Sequence, residues 1–193
     1  MKLEEYRSTD IYLLDQIMKG RYDSATSVLD AGAGSGRNLF WFLQNDIPIT
    51  AVDISEESRD AIEERYGDAK VTWKQSDLDS LPFEDASFDH VICNAVLHFA
   101  KSKAHFDKML AELLRVCKPG GSVFIRTCAK MGIEDRCVVL GGGRYLLPDE
   151  SERYLIDLSD LNALTGQVAL LEPPKWVNVA NQRVMLTLVL QKL

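Results

Sequence analysis

Short apolar runs with a two-residue rhythm take turns along the chain with stretches whose apolar positions recur every three to four residues. Residues 27–30 read as a first strand leading into a Gly-rich turn, and residues 38–45 as a helix dense in apolar side chains from Leu39 to Leu43. Residues 49–53 form a second strand. Ser55 is placed to cap the helix that follows, Glu56 and Glu57 complement its dipole, and Gly67 stops it after Tyr66. Residues 71–74 and 88–93 are a third and a fourth strand. Between 102 and 117, Phe106, Met109, Leu110, Leu113, Leu114 and Cys117 mark one face of an amphipathic helix, which Lys118, Pro119, Gly120 and Gly121 end. Residues 122–127 are a fifth strand. Residues 129–150 show no period and read as a long loop, of the kind that is more often functional than inert. A short helix at 159–164 closed by Gly166, and strands at 168–171 and 184–190, complete the chain. This alternation predicts an α/β sheet with crossover helices. With no repeat, linker or low-complexity tract, one domain is expected over residues 1–193, residues 1–27 forming an N-terminal helical cap.

Composition narrows the partners. The 193 residues are 46% hydrophobic, 26% charged and 8% aromatic, which excludes disordered and collagen-like chains. Twenty-two basic against 29 acidic side chains give a net charge of −7, which opposes attraction to phosphate backbones or anionic membrane surfaces. Apolar runs such as 39–43 and 185–190 fall far short of the ~20 residues of a membrane span. The first ten residues lack the apolar core of an export signal and the Arg-rich character of a transit peptide, so a soluble cytoplasmic protein is expected. Cys93, Cys117, Cys128 and Cys137 have no CxxC spacing, and His90, His98 and His105 no HExxH pattern. Reduced thiols and no metal are therefore expected.

The chemistry concentrates in residues 28–38, VLDAGAGSGRN, where a buried strand turns through three glycines. Such a turn presents backbone N–H groups to a ligand. Gly32, Gly34 and Gly36 miss the GxGxxG dinucleotide spacing, because Arg37 stands where the third glycine belongs. A tight connection with no ligand is the alternative. Asp53 ends the second strand, where a carboxylate can accept hydrogen bonds from both ribose hydroxyls of a nucleoside. Asp77 follows the third strand, where an acid can read an exocyclic amine, and Asn94 ends the fourth; a solvated loop acid and a strand-end cap are the plainer readings. His98 lies four residues past Asn94, within reach of a general-base role, although a loop or helix-cap histidine is the commoner case. Arg144 and Tyr145 sit in the long irregular stretch, and Arg144 could pair with an anionic substrate. Arg37, near a helix N-terminus, predicts a carboxylate partner such as an N-terminal Glu.

Together VLDAGAGSGRN, AVDIS, QSDLDSLPFEDASFDHVICNAVLHF and ELLRVCKPGGSVFI resemble, in order, the motifs of class I S-adenosylmethionine-dependent methyltransferases, over about half the chain. The resemblance implies a Rossmann-like, doubly wound, three-layer α/β/α fold. Its seven-stranded sheet would be mostly parallel, with residues 184–190 as an antiparallel last strand. It also implies that Asp30, Gly32, Ala33, Gly34 and Gly36 surround the methionine part of S-adenosyl-L-methionine, Asp53 and Ile54 the ribose, Asp77 and Leu78 the adenine, and Asn94 the strand-four wall. Relatives often carry Cys where this chain has Ala33, an exchange of one small residue for another. Methyl transfer to a small-molecule acceptor is the leading expectation, with residues 129–150 as an acceptor-side loop. RNA or protein methylation, or cofactor binding without turnover, are the alternatives.

Overall fold

The computed structural model describes residues 6–23, 26–67, 71–162, 164 and 166–193. Its elements in chain order are α1 (Ile11–Met18), β1 (Val28–Ala31), α2 (Phe40–Gln44), β2 (Ile49–Asp53), α3 (Glu56–Tyr66), β3 (Val71–Gln75), β4 (Phe88–Asn94), α4 (Lys103–Val116), β5 (Cys117–Ala129), β6 (Val138–Gly141), β7 (Arg144–Leu146), β8 (Glu152–Tyr154), α5 (Leu158–Asn162), β9 (Val168–Leu170), β10 (Lys175–Val179) and β11 (Arg183–Lys192). The main sheet runs β10-β11-β5-β4-β1-β2-β3. Its five strands from β5 to β3 are parallel, and β11 lies antiparallel to β5. The expected doubly wound sheet with an antiparallel last strand is thus the one observed.

Period-two alternation divides the sheet into two packed faces. Leu29, Val52, Val91, Cys93, Val123 and Ile125 share a core with Phe106, Leu110, Leu113 and Leu114 of α4. Their alternate neighbours Val28, Ala51, Ile92 and Phe124 pack with Leu13 and Ile17 of α1, Phe42 of α2 and Ile62 of α3. Burial of each such large side chain contributes about 1.5–3 kcal/mol. Strand order reverses between β1 and β4, and the crevice at that reversal is where open α/β sheets bind ligands.

Three local expectations change. The sheet edge beyond β11 is shared by β9 and β10, which pair with opposite ends of β11 and make eight strands in seven lateral positions. The β10–β11 hairpin turns through Ala180 and Asn181, both at positive φ, with Gln182 N–H donating to the Val179 carbonyl at 2.9 Å. That is a primed turn without the Asn-Gly signature that would announce it. Residues 129–150, expected as an irregular loop, instead supply β6 and β7 of a small antiparallel sheet, β6-β7-β8. No alternation reveals β6, because Val138, Val139 and Leu140 are all exposed. The helix expected at 159–164 is Leu158–Asn162, and part of the expected span lies outside the described residues.

The small sheet is fastened to α4. The Gly142 carbonyl accepts from Lys103 N–H at 3.0 Å, and Tyr154 stacks on Phe106 with centroids 4.6 Å apart. Ser102 caps α4 by accepting from His105 N–H. Ser55, by contrast, makes no side-chain cap on α3; its hydroxyl is engaged with Glu57. Among the described residues, no helix is long and apolar enough to cross a membrane.

Candidate functional site

A cleft of about 690 Å³ opens at the carboxyl ends of β1 to β4. Gly32, Ala33, Gly34, Asp53, Ile54, Asp77, Leu78 and Asn94 line it, so eight of the expected residues converge although they come from four strands. The Gly-rich turn is wrapped onto β2, where Gly32 N–H and Ala33 N–H both donate to the Val52 carbonyl, at 2.8 and 3.0 Å. Gly32 holds a φ of +81°, and a Cβ there would stand 2.3 Å from Val96 Cγ2. Glycine lets the backbone come that close to the wall beyond β4.

Asp53 ties the turn to the end of β2. Its Oδ2 accepts from Gly34 N–H at 2.8 Å and its Oδ1 from Ser55 N–H at 3.1 Å. Each carboxylate oxygen offers two lone pairs, so both retain acceptor capacity toward the cleft. Ile54 is exposed beside it and gives the cleft an apolar wall. Asp77 Oδ1 has only a 3.5 Å contact from Asp79 N–H.

Asp30 and Gly36 stand behind the lining. Gly36 faces Ile62 and Tyr66, whose hydroxyl donates to the Gly36 carbonyl at 2.7 Å. Asp30 is 1% exposed, and neither of its carboxylate oxygens has a hydrogen-bond partner. Burial pushes its carboxyl up to about 7; Arg37 opposes this and Asp53 adds to it. The buried Asn94 Nδ2 is likewise unpartnered, while Asn94 Oδ1 accepts from Arg37 at 3.1 Å. Unpaired buried polar groups of this kind cost stability unless a ligand answers them.

Arg37 has the carboxylate partner expected of it, but the partner is Asp10, at 4.0 Å. The same Asp10 oxygen pairs with Arg126 at 2.8 Å, while Asp10 Oδ1 caps α1 through Tyr12 N–H. The N-terminal segment is thereby tied to the rim of the cleft. The residues before Tyr6, which include the N-terminal glutamates, lie outside the described residues.

His98 does not reach the cleft lining. It sits in a 3₁₀ turn, Leu97–Phe99, and is buried with Nδ1 unpartnered. Burial, then Arg153 and Arg183, hold it down to about 3, so it stays neutral across the physiological range. The next residue, Phe99, points into the cleft instead, and no spacing rule distinguishes these two neighbours within a 3₁₀ turn. Arg144 and Tyr145 on β7 are also outside the lining; Arg144 pairs with Glu152. Sequence reasoning missed Val96, Phe99, Lys101, His105 and Met109, which complete the cleft from the β4–α4 connection and α4. His105 Nδ1 accepts from Lys101 N–H at 3.1 Å. The helical period marks Met109 as core and cannot show that this core also borders a cavity. Among the described residues, no cluster of three or more His, Cys, Asp or Glu side chains is placed to hold a metal ion.

Comparison with known proteins agrees with this geometry. Malonyl-[acyl-carrier protein] O-methyltransferase of Erwinia pyrifoliae is 34% identical over 119 residues, covering 60% of this chain and 42% of that protein. Demethylmenaquinone methyltransferase of Clavibacter sepedonicus is 35% identical over 99 residues, covering 51% of this chain and 39% of that one. The chain spans less than half the length of either relative. A SAM-dependent methyltransferase from Methanosarcina mazei superposes with a TM-score of 0.76 at 20% identity, covering 92% of this chain and 97% of the other. Burkholderia thailandensis 1,6-didemethyltoxoflavin-N1-methyltransferase, solved with 1,6-didemethyltoxoflavin and S-adenosylhomocysteine bound, gives 0.70 at 21% identity, covering 97% and 78%. At these identities the two structures establish the fold. Residues 29–125, half of the chain, match the methyltransferase domain family, and the chain therefore belongs to that family, the class I S-adenosylmethionine-dependent methyltransferases.

Proposed function

We propose that the chain transfers a methyl group from S-adenosylmethionine to a small-molecule acceptor. The observation that carries this reading is the convergence of the Gly32–Gly34 turn, Asp53, Asp77 and Asn94 on one cleft. In this reading the turn holds the methionine part, Asp53 and Ile54 the ribose, Asp77 and Leu78 the adenine, and Asn94 the wall beside the reacting centre. The unpartnered carboxylate of Asp30, just behind the turn, suits a cationic ligand. The bound cofactor supplies an electrophilic methyl: an acceptor lone pair forms the new bond as the methyl–sulfur bond breaks, and the electron pair stays on sulfur in S-adenosylhomocysteine.

The chain's own part is orientation. With His98 outside the cleft lining and His105 Nδ1 occupied by a backbone N–H, neither histidine is poised as a base. Direct displacement does not require one when the acceptor reacts through a free lone pair, and alignment alone is worth on the order of 7–11 kcal/mol. The small sheet that contains β7 would form the acceptor side.

Transfer of labelled methyl from S-adenosylmethionine into a metabolite extract tests this reading. Label should enter low-mass products and fall at least about tenfold with Asp53→Ala, which removes an acceptor of charge-assisted hydrogen bonds. Label confined to protein or RNA would move the acceptor to those classes. S-adenosylhomocysteine binding without any incorporation would leave a binding protein and contradict the enzyme reading.

A further inference from the structure

Next to the cleft, outside its lining, the small sheet carries an arginine that makes no ion pair among the described residues, although Asp149 is near enough to feel its charge. Arg153 of β8 holds its guanidinium carbon 4.7 Å from the centroid of Phe99, and Phe99 lines the cleft. Arg153 Nη1 donates to the Glu152 carbonyl at 2.7 Å. Among the described residues, no carboxylate lies within ion-pair distance of Arg153, whereas nearby Arg183 has Asp149 at 2.9 Å. Lys101 and Arg37 also line the cleft. Asp53 and Asp77 in the same lining are the acids that suit the sulfonium of the cofactor, so Arg153 is left to answer an anion on the acceptor. The depression of His98 by Arg153 and Arg183, after burial, reports the same positive field.

We propose that Arg153 is the specificity-determining residue of an anion subsite at the Phe99 end of the cleft, which takes a small acceptor bearing a carboxylate on an apolar body. The inference rests on the methyl-transfer reading and names its substrate class. A carboxylate fits the two-pronged face of a guanidinium and matches its single charge. The apolar body has Val96 and Phe99 to lie against, both in the cleft lining. Tyr145 is the cross-strand partner of Arg153, so the two side chains share one face of the small sheet. Lys130 lies 5.5 Å from the Tyr145 ring and adds a second cation to that face. Arg144, the arginine expected from sequence to pair with an anion, is engaged by Glu152 instead.

The test uses the full chain saturated with S-adenosylhomocysteine and calorimetric binding of two acid–amide pairs, benzoate against benzamide and hexanoate against hexanamide. At least one acid should bind about tenfold more tightly than its amide, as expected for charge-assisted hydrogen bonds. Arg153→Gln should abolish that preference, and Arg153→Lys should restore part of it. Equal binding of acid and amide in both pairs, or a preference that survives Arg153→Gln, overturns the subsite. Failure of the wild-type chain to bind S-adenosylhomocysteine at all overturns the methyl-transfer reading instead, so the two failures are distinguishable. Thermal melts of both variants confirm that each is folded when it is measured.

Discussion

Asp30→Asn should stabilise the ligand-free protein by up to about 4 kcal/mol at pH 8 and by almost nothing at pH 4. The figure follows from a carboxyl raised from 3.8 to about 7, at about 1.36 kcal/mol per pH unit. Because the folded-state value lies above the unfolded one, the folded chain binds the extra proton between them. Stability contributed by protonated Asp30 is therefore full below pH 4 and is lost as pH rises toward 7. The groups that act on it electrostatically are Arg37 on the turn and Asp53 on β2; Cys93 on β4, Tyr22 and Tyr66 on α3 are raised mainly by their own burial, and Asp30 adds to each. His98 works in the opposite sense: held down to about 3 when folded, it costs stability as pH falls below 6.5. The wild-type profile therefore sums two opposed slopes, and only the difference between variant and wild type isolates Asp30. Urea denaturation at each pH measures it. A difference that stays flat from pH 4 to 8 would show that Asp30 is not held neutral by burial. The same variant should bind S-adenosylmethionine more weakly, since a site that keeps an unpaired buried carboxylate trades stability for ligand affinity.

Gly32→Ala should cost about 2–5 kcal/mol and largely abolish cofactor binding. A left-handed backbone at φ +81° costs an alanine about 1–2 kcal/mol. The added Cβ, 2.3 Å from Val96 Cγ2, forces a β-branched side chain to move in a packed wall, for a further 1–3 kcal/mol or so. Val96→Ala removes the contact without touching the backbone. The double variant should regain the packing share and keep the conformational one, an interaction energy of about 1 kcal/mol or more that a double-mutant cycle reads directly. Strict additivity of the two substitutions would mean that the wall does not fix the turn.

How far the sequence carried depends on the range of each constraint. Short apolar runs alternating with stretches of helical period are local signals, so the strands and crossover helices were readable, whereas the doubly wound order of the sheet came from the resemblance of the motifs. Asp53, Asp77 and Asn94 were readable for a similar reason: Asp53 and Asn94 end strands and Asp77 follows one by two residues, and parallel strands bring their ends to one edge. Asp30, still within β1, and Gly36, at the far end of the turn against Ile62 and Tyr66, belong to the same motif yet stand behind the lining. His98 and Phe99 exchange roles within one 3₁₀ turn, where no spacing rule tells the neighbours apart. Arg37 announced its need of a carboxylate, but Asp10 answers it from the far end of a segment whose path no local rule fixes. The small sheet was hidden because β6 is exposed on both faces and carries no period. Arg153, which stands across from Tyr145, therefore emerged only once β7 and β8 were paired.

The central claim is that the cleft at the ends of β1 to β4 holds S-adenosylmethionine rather than a dinucleotide. Equilibrium binding of S-adenosylmethionine, S-adenosylhomocysteine and NAD to the wild-type chain and to Asp53→Ala tests it most directly. The account predicts saturable binding of the first two, at least about tenfold weaker in Asp53→Ala, with NAD binding far more weakly. Tight NAD binding with no affinity for S-adenosylmethionine or S-adenosylhomocysteine would contradict it.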